Sequence, residues 1–376
     1  MKEHLLIAGD LIPTELNYKE FIEGKSDIIF GKQLSELFSN AKIACCNLEG
    51  ALTDTDNEIN KEGANIKAPK KSITGIKKLG INLVMLANNH VMDYGEKGFK
   101  DTVKTLSANG ISYIGAGENE NDISTYTLVE LEGKKVVLYN VAETEFNIAR
   151  QNYPGVNRFE EYRVCCEIAN LKKKNDFVVV IYHGGVEKFR YPSPNLQKRL
   201  RLIVDCGADV VLAQHSHCIG TYECYRESII LYGQGNFCFS RGLDEYTASG
   251  LLVDIIVREE KLVCEFIKII RKGGYVEYDK TQDLTEFYAR SKNMNDEIIE
   301  QQYNEFCNAR MSKYLHYFER SGIADKILKK CFKNHDNLRK KEELLGAINM
   351  MRCEVHQEVF LTGLLNLFDK YYGSDR

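Results

Sequence analysis

Short apolar runs of strand length recur along the first 270 residues, each ending near polar or glycine positions. Residues 5–8, 43–46, 83–86, 136–139, 178–181 and 210–213 are apolar at consecutive positions. That pattern predicts strands covered on both faces rather than half-solvated ones. Amphipathic stretches at 72–79, 96–108, 163–174 and 195–206 lie between several of them. Buried strands separated by helices predict an α/β architecture. Around residues 222–270 the pattern turns strand-rich, with runs at 221–225, 228–232, 250–257 and 261–271 joined by tight turns. An antiparallel section is expected there. After Gly273-Gly274 the chain reads as helix to its end, with no proline from about residue 282. Leu344, Leu345, Ile348, Met351, Val355, Val359 and Leu364 approximate one helical face. The expected division is a main domain over 1–275 and a helical C-terminal extension over 276–376. The apolar face of the extension is expected to pack on the main domain or on a sister helix, or else to bind a partner or join two copies of the chain as a homo-oligomer.

Five predicted strands end in residues able to hold a metal ion: Gly9-Asp10, Asn47-Leu48-Glu49-Gly50, Asn88-Asn89-His90, His183-Gly184-Gly185 and His215-Ser216-His217. Open α/β sheets gather ligands at the C-terminal ends of parallel strands, because the loops there converge on one crevice. Of eight histidines, four (His90, His183, His215, His217) fall in these turns, and the others lie at the chain start or in the extension. The accompanying Asp10, Glu49 and Asn89 make a mixed oxygen and nitrogen set without thiolates, suited to Mn, Fe or Zn. Two such ions ~3.5–4 Å apart would share an activated water and clamp the oxygens of a displacement reaction. Glu49, from a middle strand, is the expected bridging carboxylate. Neither a dinucleotide loop, a Walker lysine motif nor a GxSxG elbow is present.

Composition narrows the partners. Lys plus Arg number 50 against 54 for Asp plus Glu, a net charge of −4, which argues against nucleic-acid binding through phosphate neutralisation. No apolar run approaches the ~20 residues of a membrane span, and the four apolar residues before Gly9-Asp10 are too few for a signal-peptide core. Twelve cysteines include two adjacent pairs and no CxxC, favouring reduced thiols over disulfides or a zinc knuckle. A cytoplasmic protein is expected.

At these residues the sequence resembles the CapA (poly-γ-glutamate capsule biosynthesis) family of the calcineurin-like metallophosphoesterase superfamily. The segments that carry the resemblance are Gly9-Asp10, NLEGALTD from Asn47, LANNHVMDYG from Leu86, GISYIGAG from Gly110, HGGVE from His183, GADVVLAQHSH from Gly207 and GQGNF from Gly233. They are ordered over about the first 240 residues and leave out the extension. The resemblance implies a four-layer α-β-β-α metallophosphoesterase-like sandwich with two divalent ions at its edge. Asp10, Glu49 and His217 would hold one ion, and Glu49, Asn89, His183 and His215 the other. His90 would stand beside them to donate a proton to the leaving group or hydrogen-bond the developing charge, oriented by Asp93 or Asp54; Asp93 is alternatively a cap for the following helix.

Two departures bear on function. The superfamily usually opens with Asp-x-His, yet Ile12 stands two residues after Asp10, so the first ion lacks a ligand. Family members often have tryptophan where Gly184 stands and proline where Ser216 stands, which affects specificity rather than ligands. Asn88 and Asn236 are expected on the substrate side, the latter in a glycine turn. Arg190, with Lys67, Arg150 and Lys188, stands in loops near the crevice and would meet phosphate or glutamate carboxylates. The leading expectation is a metal-dependent hydrolase, with manganese first among metals to test, cleaving a phosphoester or an amide/γ-glutamyl bond. Its substrate would be a small molecule or a polymer precursor in capsule or cell-surface biosynthesis. The rivals are a metal-dependent epimerase or isomerase, and a non-catalytic accessory protein of a polymer-synthesising complex.

Overall fold

The computed structural model describes residues 3–239, 242–316, 345–346, 348–350 and 352–372. Two sheets carry the architecture. The first has eight strands in the order Tyr275–Tyr278, Lys261–Lys272, Ser249–Arg258, His4–Ile12, Ile43–Leu48, Leu83–Met85 and Ser112–Ile114, with Asn236–Phe239 beside the second half of His4–Ile12. The second has six, in the order Tyr222–Tyr225, Ser228–Leu231, Val210–Gln214, Phe177–His183, Lys134–Ala142 and Tyr126–Leu131. In each sheet the central strands run parallel.

Alternation along each strand sorts the side chains into layers. Leu5 and Ile7 point toward the second sheet and pack with Leu138, Val179, Ile181 and Leu212. Leu6 and Ala8 point the other way, onto Phe30, Leu34 and Phe38 from helix Ser26–Asn40. On the far side Val178, Val180 and Tyr182 meet Val164 and Ile168 of helix Glu161–Lys172 and Leu200 and Ile203 of helix Pro194–Asp205. The result is the four-layer α-β-β-α sandwich that the sequence suggests, and its double burial explains why the strands read as unbroken apolar runs.

The differences from expectation are local. Two helices, Tyr18–Ile22 and Ser26–Asn40, go unpredicted, and the second is interrupted at Gly31 (φ 67°), which breaks the apolar period. The strand-rich section after residue 221 does not form one antiparallel unit. The hairpin Tyr222–Tyr225/Ser228–Leu231 joins the second sheet, whereas Ser249–Arg258/Lys261–Lys272 joins the first. The short strand between the two hairpins, Asn236–Phe239, pairs parallel with Asp10–Ile12.

The first sheet ends at Tyr278 and the helices begin at Thr285. Helices Asp296–His316 and Glu354–Tyr372 contribute Tyr303, Cys307 and Val359 to a small apolar cluster with Met350 and with Val186 and Phe189 of the main domain. Leu344 and Met351 of the expected apolar face lie outside the described residues. Among the described residues, no helix is long and apolar enough to cross a membrane.

Candidate metal centre

The parallel strands of both sheets end at one edge of the sandwich, and the strand-end residues meet there. Asp10 stands at a β-bulge: the register slips between Ala8 and Asp10 against Ile43–Leu48, and between Asp10 and Leu11 against Asn236–Phe239. Bulges re-aim side chains in this way. Gly9 before it is obligatory, because a Cβ would stand 2.1 Å from the Gly235 carbonyl oxygen. On the second sheet His183 ends its strand, and the turn after Val210–Gln214 holds His215 (φ 85°) and His217 (φ 56°) in left-handed backbone. Such conformations cost about 1–3 kcal/mol each and persist only where the surroundings over-determine them. Here they bring two alternate imidazoles round to the carboxylates of the first sheet.

Two donor sets result. One ring nitrogen or carboxylate oxygen from each of Glu49, His183 and His215 lies within 4.8 Å of the others, and the same holds for Asp10, Glu49 and His217. In the first set His183 Nε2 is 3.5 Å from Glu49 Oε1, 3.2 Å from His215 Nδ1 and 3.1 Å from Asn89 Oδ1. In the second, His217 Nδ1 is 3.2 Å from Asp10 Oδ2, 3.9 Å from Glu49 Oε2 and 2.8 Å from Asn236 Oδ1. Glu49 belongs to both, and neither of its buried oxygens has a hydrogen-bond partner. A carboxylate left so costs several kcal/mol unless a cation meets it. The donors are oxygens and imidazole nitrogens throughout, so the residues fit divalent ions of the Mn, Fe or Zn kind.

The electrostatics divide the cluster into groups held neutral and groups held charged. Burial, reinforced by the Asp10 charge, pushes the Glu49 carboxyl up to about 8. Burial lowers His183 to about 4 and His215 to about 3, keeping both neutral as a ligand must be. His217 goes the other way, to about 10, because the Glu49 and Asp10 carboxylates overcome its burial. Asp10 is held at about 2, its burial outweighed by His217, His183 and the Asn47 amide.

His90 follows Asn89, and its Nδ1 lies 2.7 Å from Asp93 Oδ2. Asp93 also accepts from the Ile66 amide at 2.8 Å, and the helix after it starts at Gly95 with no side-chain cap. Asp54 lies apart, accepting from the Lys70 amide at 3.2 Å. Asn88 spends its amide inside the protein: Nδ2 donates to Asn47 Oδ1 and the Leu48 carbonyl, and Oδ1 accepts from the His90 and Val91 amides. Arg190 donates to the Glu245 carbonyl at 3.0 Å over the Tyr246 ring, and Lys188 and Lys67 pair with Asp244 and Asp56. Ile12 is buried in the core and supplies no donor.

Three participants escape the sequence analysis. Asn47 donates to Asp10 Oδ1 at 2.7 Å and sits 3.2 Å from His183 Nδ1, fixing both side chains; its place two residues before Glu49 was the available signal. Lys61 is buried, with Nζ 2.5 Å from Asp93 Oδ1 and 3.1 Å from His90 Nδ1. Nothing in its sequence surroundings marks it. Glu145 Oε1 lies 4.0 Å from His215 Nε2, and burial raises its carboxyl to about 7.

Fold and site together define an α/β sandwich protein with a buried cluster of carboxylates and imidazoles compatible with divalent cations. The chain belongs to the family of bacterial capsule synthesis proteins called PGA_cap, whose family model matches residues 4–241. The capsule biosynthesis protein CapA of Bacillus anthracis is 31% identical over 258 residues, covering 66% of this chain and 62% of that protein. The PGA biosynthesis protein CapA of Bacillus subtilis is 28% identical over 254 residues, covering 65% of each. The chain therefore spans a little under two thirds of the length of these relatives. A Mycobacterium tuberculosis relative named "Probable polyglutamine synthesis accessory protein" is 26% identical over 235 residues, covering 59% of this chain and 60% of that one. Among solved structures, a phosphatase from Mycoplasma pneumoniae is similar at 14% identity and TM-score 0.43, over 76% of this chain and 100% of that one. A 5′-nucleotidase precursor from Thermus thermophilus is similar at 12% identity and TM-score 0.42, over 83% and 59%. Likenesses at this distance carry nothing about activity.

Proposed function

We propose that this chain is a metal-dependent hydrolase that holds two divalent cations and acts in capsule or cell-surface polymer biosynthesis, cleaving a phosphoester or an amide/γ-glutamyl bond. The observation that carries the reading is Glu49: a buried carboxylate shared by two donor sets, with both oxygens lacking hydrogen-bond partners. Asp10, Glu49 and His217 would hold one ion and Glu49, Asn89, His183 and His215 the other. Asn236, placed opposite Asp10 by strand pairing, offers its side-chain oxygen to the first set and so stands in for the ligand that Ile12 cannot give. A bound cation pair supplies Lewis-acid polarisation of the scissile group and an activated water.

The chain's own residues do the rest. Asn47 orients Asp10 and His183, as outer hydrogen bonds do for metal ligands. Asp93 accepts from His90 Nδ1, which fixes the tautomer and leaves Nε2 to carry the proton given to the leaving group. Lys61 compensates the buried Asp93 charge and keeps that pair in place. The substrate enters as a small molecule or polymer precursor, and Lys188 and Arg190, in the loop beyond His183, are the proposed anion contacts that stand closest to that histidine in sequence. The site of action is the cytoplasm.

A second reading, an accessory protein without turnover, is favoured by the name of the mycobacterial relative and by Ile12 at the missing ligand position. The test is metal analysis of the purified protein followed by a Mn²⁺ screen against phosphomonoesters, phosphodiesters and γ-glutamyl peptides. Two ions with turnover support the hydrolase. Two ions with no turnover across the panel would favour the accessory role, and no metal at all would overturn both forms of the site.

A further inference from the structure

The strand end that delivers His183 is held from behind by a polar cluster that the chemistry above does not use. Glu143 follows the neighbouring strand Lys134–Ala142, and its backbone amide donates to the His183 carbonyl at 3.0 Å. Its carboxylate accepts from three donors: the Gly185 amide at 3.0 Å, the Tyr182 hydroxyl at 2.9 Å and Arg199 Nη1 at 3.1 Å. Gly184 lies flat on that carboxylate, where a Cβ would come within 2.5 Å of Glu143 Cγ and Cδ. Residues 182–185 are thus clamped on both sides of the ligand histidine.

The clamp continues into the C-terminal extension. Arg199, on helix Pro194–Asp205, also donates from Nη1 to the Tyr182 oxygen at 2.7 Å and from Nη2 to Glu354 Oε2 at 2.8 Å. Glu354 opens the helix Glu354–Tyr372. A planar guanidinium that bridges two carboxylates fixes their relative positions in a way a point charge cannot. The same seam is reinforced by Ser193 donating to Glu358 at 3.3 Å and by Val186 and Phe189 packing on Tyr303, Cys307 and Val359. Further along the loop, the Lys188 amide donates to the Ser216 carbonyl at 2.8 Å, between His215 and His217. One stretch of backbone therefore connects the extension to three of the four strand-end histidines.

We propose that Glu143 is a positioning residue for the His183 loop, and that Arg199 and Glu354 couple it to the C-terminal helix, so that the extension sets the affinity of the second cation position. This rests on the metal-centre reading above. The physical argument is that Gly184 and Gly185 make the loop backbone permissive, so that what grips the loop adds to the Asn47 and Asn89 contacts in setting where the His183 imidazole stands. Removing Glu354 deprives Arg199 of one of its two carboxylates and loosens its hold on Glu143 and Tyr182. Outer-sphere partners of metal ligands typically contribute 10–100-fold in affinity.

The test uses the full chain carrying Glu354→Ala, whose side chain is 42% exposed and so is no core element, beside Glu354→Gln, which keeps an oxygen for Arg199. Mn²⁺ titration followed by electron paramagnetic resonance separates the first ion from the second, and hydrogen exchange with EDTA present follows the 184–188 amides without any metal. Glu354→Ala is expected to weaken the second ion about 10-fold or more, leave the first within about twofold, and speed exchange at 184–188. Glu354→Gln is expected to recover most of both effects. Unchanged second-ion affinity and unchanged exchange in Glu354→Ala would overturn the coupling while leaving the metal centre standing. Failure of the wild type to take up Mn²⁺ would instead overturn the metal reading, and with it the claim on affinity, whatever the exchange data show.

Discussion

Glu49→Gln separates what Glu49 does for the fold from what it does for a cation. Glutamine matches the protonated side chain in shape, so packing is preserved and only the ionisable oxygen is lost. In the unfolded chain a glutamate ionises near 4.5, whereas burial beside Asp10 raises Glu49 to about 8. A carboxyl raised in the folded state contributes stability that is present below pH 4.5 and lost as pH rises through 8. At pH 7 the folded protein must keep a proton that the unfolded chain has released, which costs about 3 kcal/mol at 1.36 kcal/mol per pKa unit. The figure is an upper bound, because the raised pKa of His217 depends partly on the Glu49 charge. In EDTA at pH 7, Glu49→Gln should therefore melt several degrees above the wild type, and the gain should vanish near pH 4. With Mn²⁺ at 100 times its dissociation constant the wild type gains about 2.7 kcal/mol from binding, and the variant, missing a donor in both sets, should gain little. The assay is thermal unfolding across pH 4–8 with EDTA or Mn²⁺. A variant that is destabilised in EDTA, or that keeps the full Mn²⁺ shift, would refute the reasoning.

Other expectations follow from the same geometry. His90→Ala should retain both ions by metal analysis yet lose about 10²–10⁴-fold in turnover on any substrate found; wild-type rates would remove His90 from the mechanism. Asn236→Ala should weaken the first Mn²⁺ by about 10-fold and spare the second, a split that calorimetry resolves, and equal affinities would return Asn236 to the substrate side. Mn²⁺ affinity should rise from pH 6 to pH 8, because protons on Glu49 and His217, raised to about 8 and about 10, compete with the cation and leave on binding. Titrations in buffers of different ionisation enthalpy would report that release, and a pH-independent affinity would contradict it. Gly9→Ala should destabilise the protein by about 2 kcal/mol or more, as a forced contact in a packed interior does, because its Cβ would sit 2.1 Å from the Gly235 oxygen; a neutral effect on the urea midpoint would deny that close approach.

The amino-acid sequence by itself determined the layered α/β character, because strands buried on both faces leave unbroken apolar runs such as residues 178–181. It also marked Asp10, Glu49, Asn89, His183, His215 and His217, since turn residues with donor side chains stand out immediately after those runs. It did not reveal the helix Ser26–Asn40, whose period fails at Gly31, nor that the two hairpins after residue 221 belong to different sheets. Pairing between distant strands decided those points, and it set Asn236 opposite Asp10 by register rather than by any local signal. Lys61 and Glu143 are the plainest cases. An isolated lysine in a polar loop and a glutamate at a strand end look like surface residues, and they become buried partners of His90 and the His183 loop only when segments 29 and 42 residues away fold against them. Charge burial is a property of the assembled interior, so the residues that orient the donors, unlike the donors themselves, were settled by the tertiary structure.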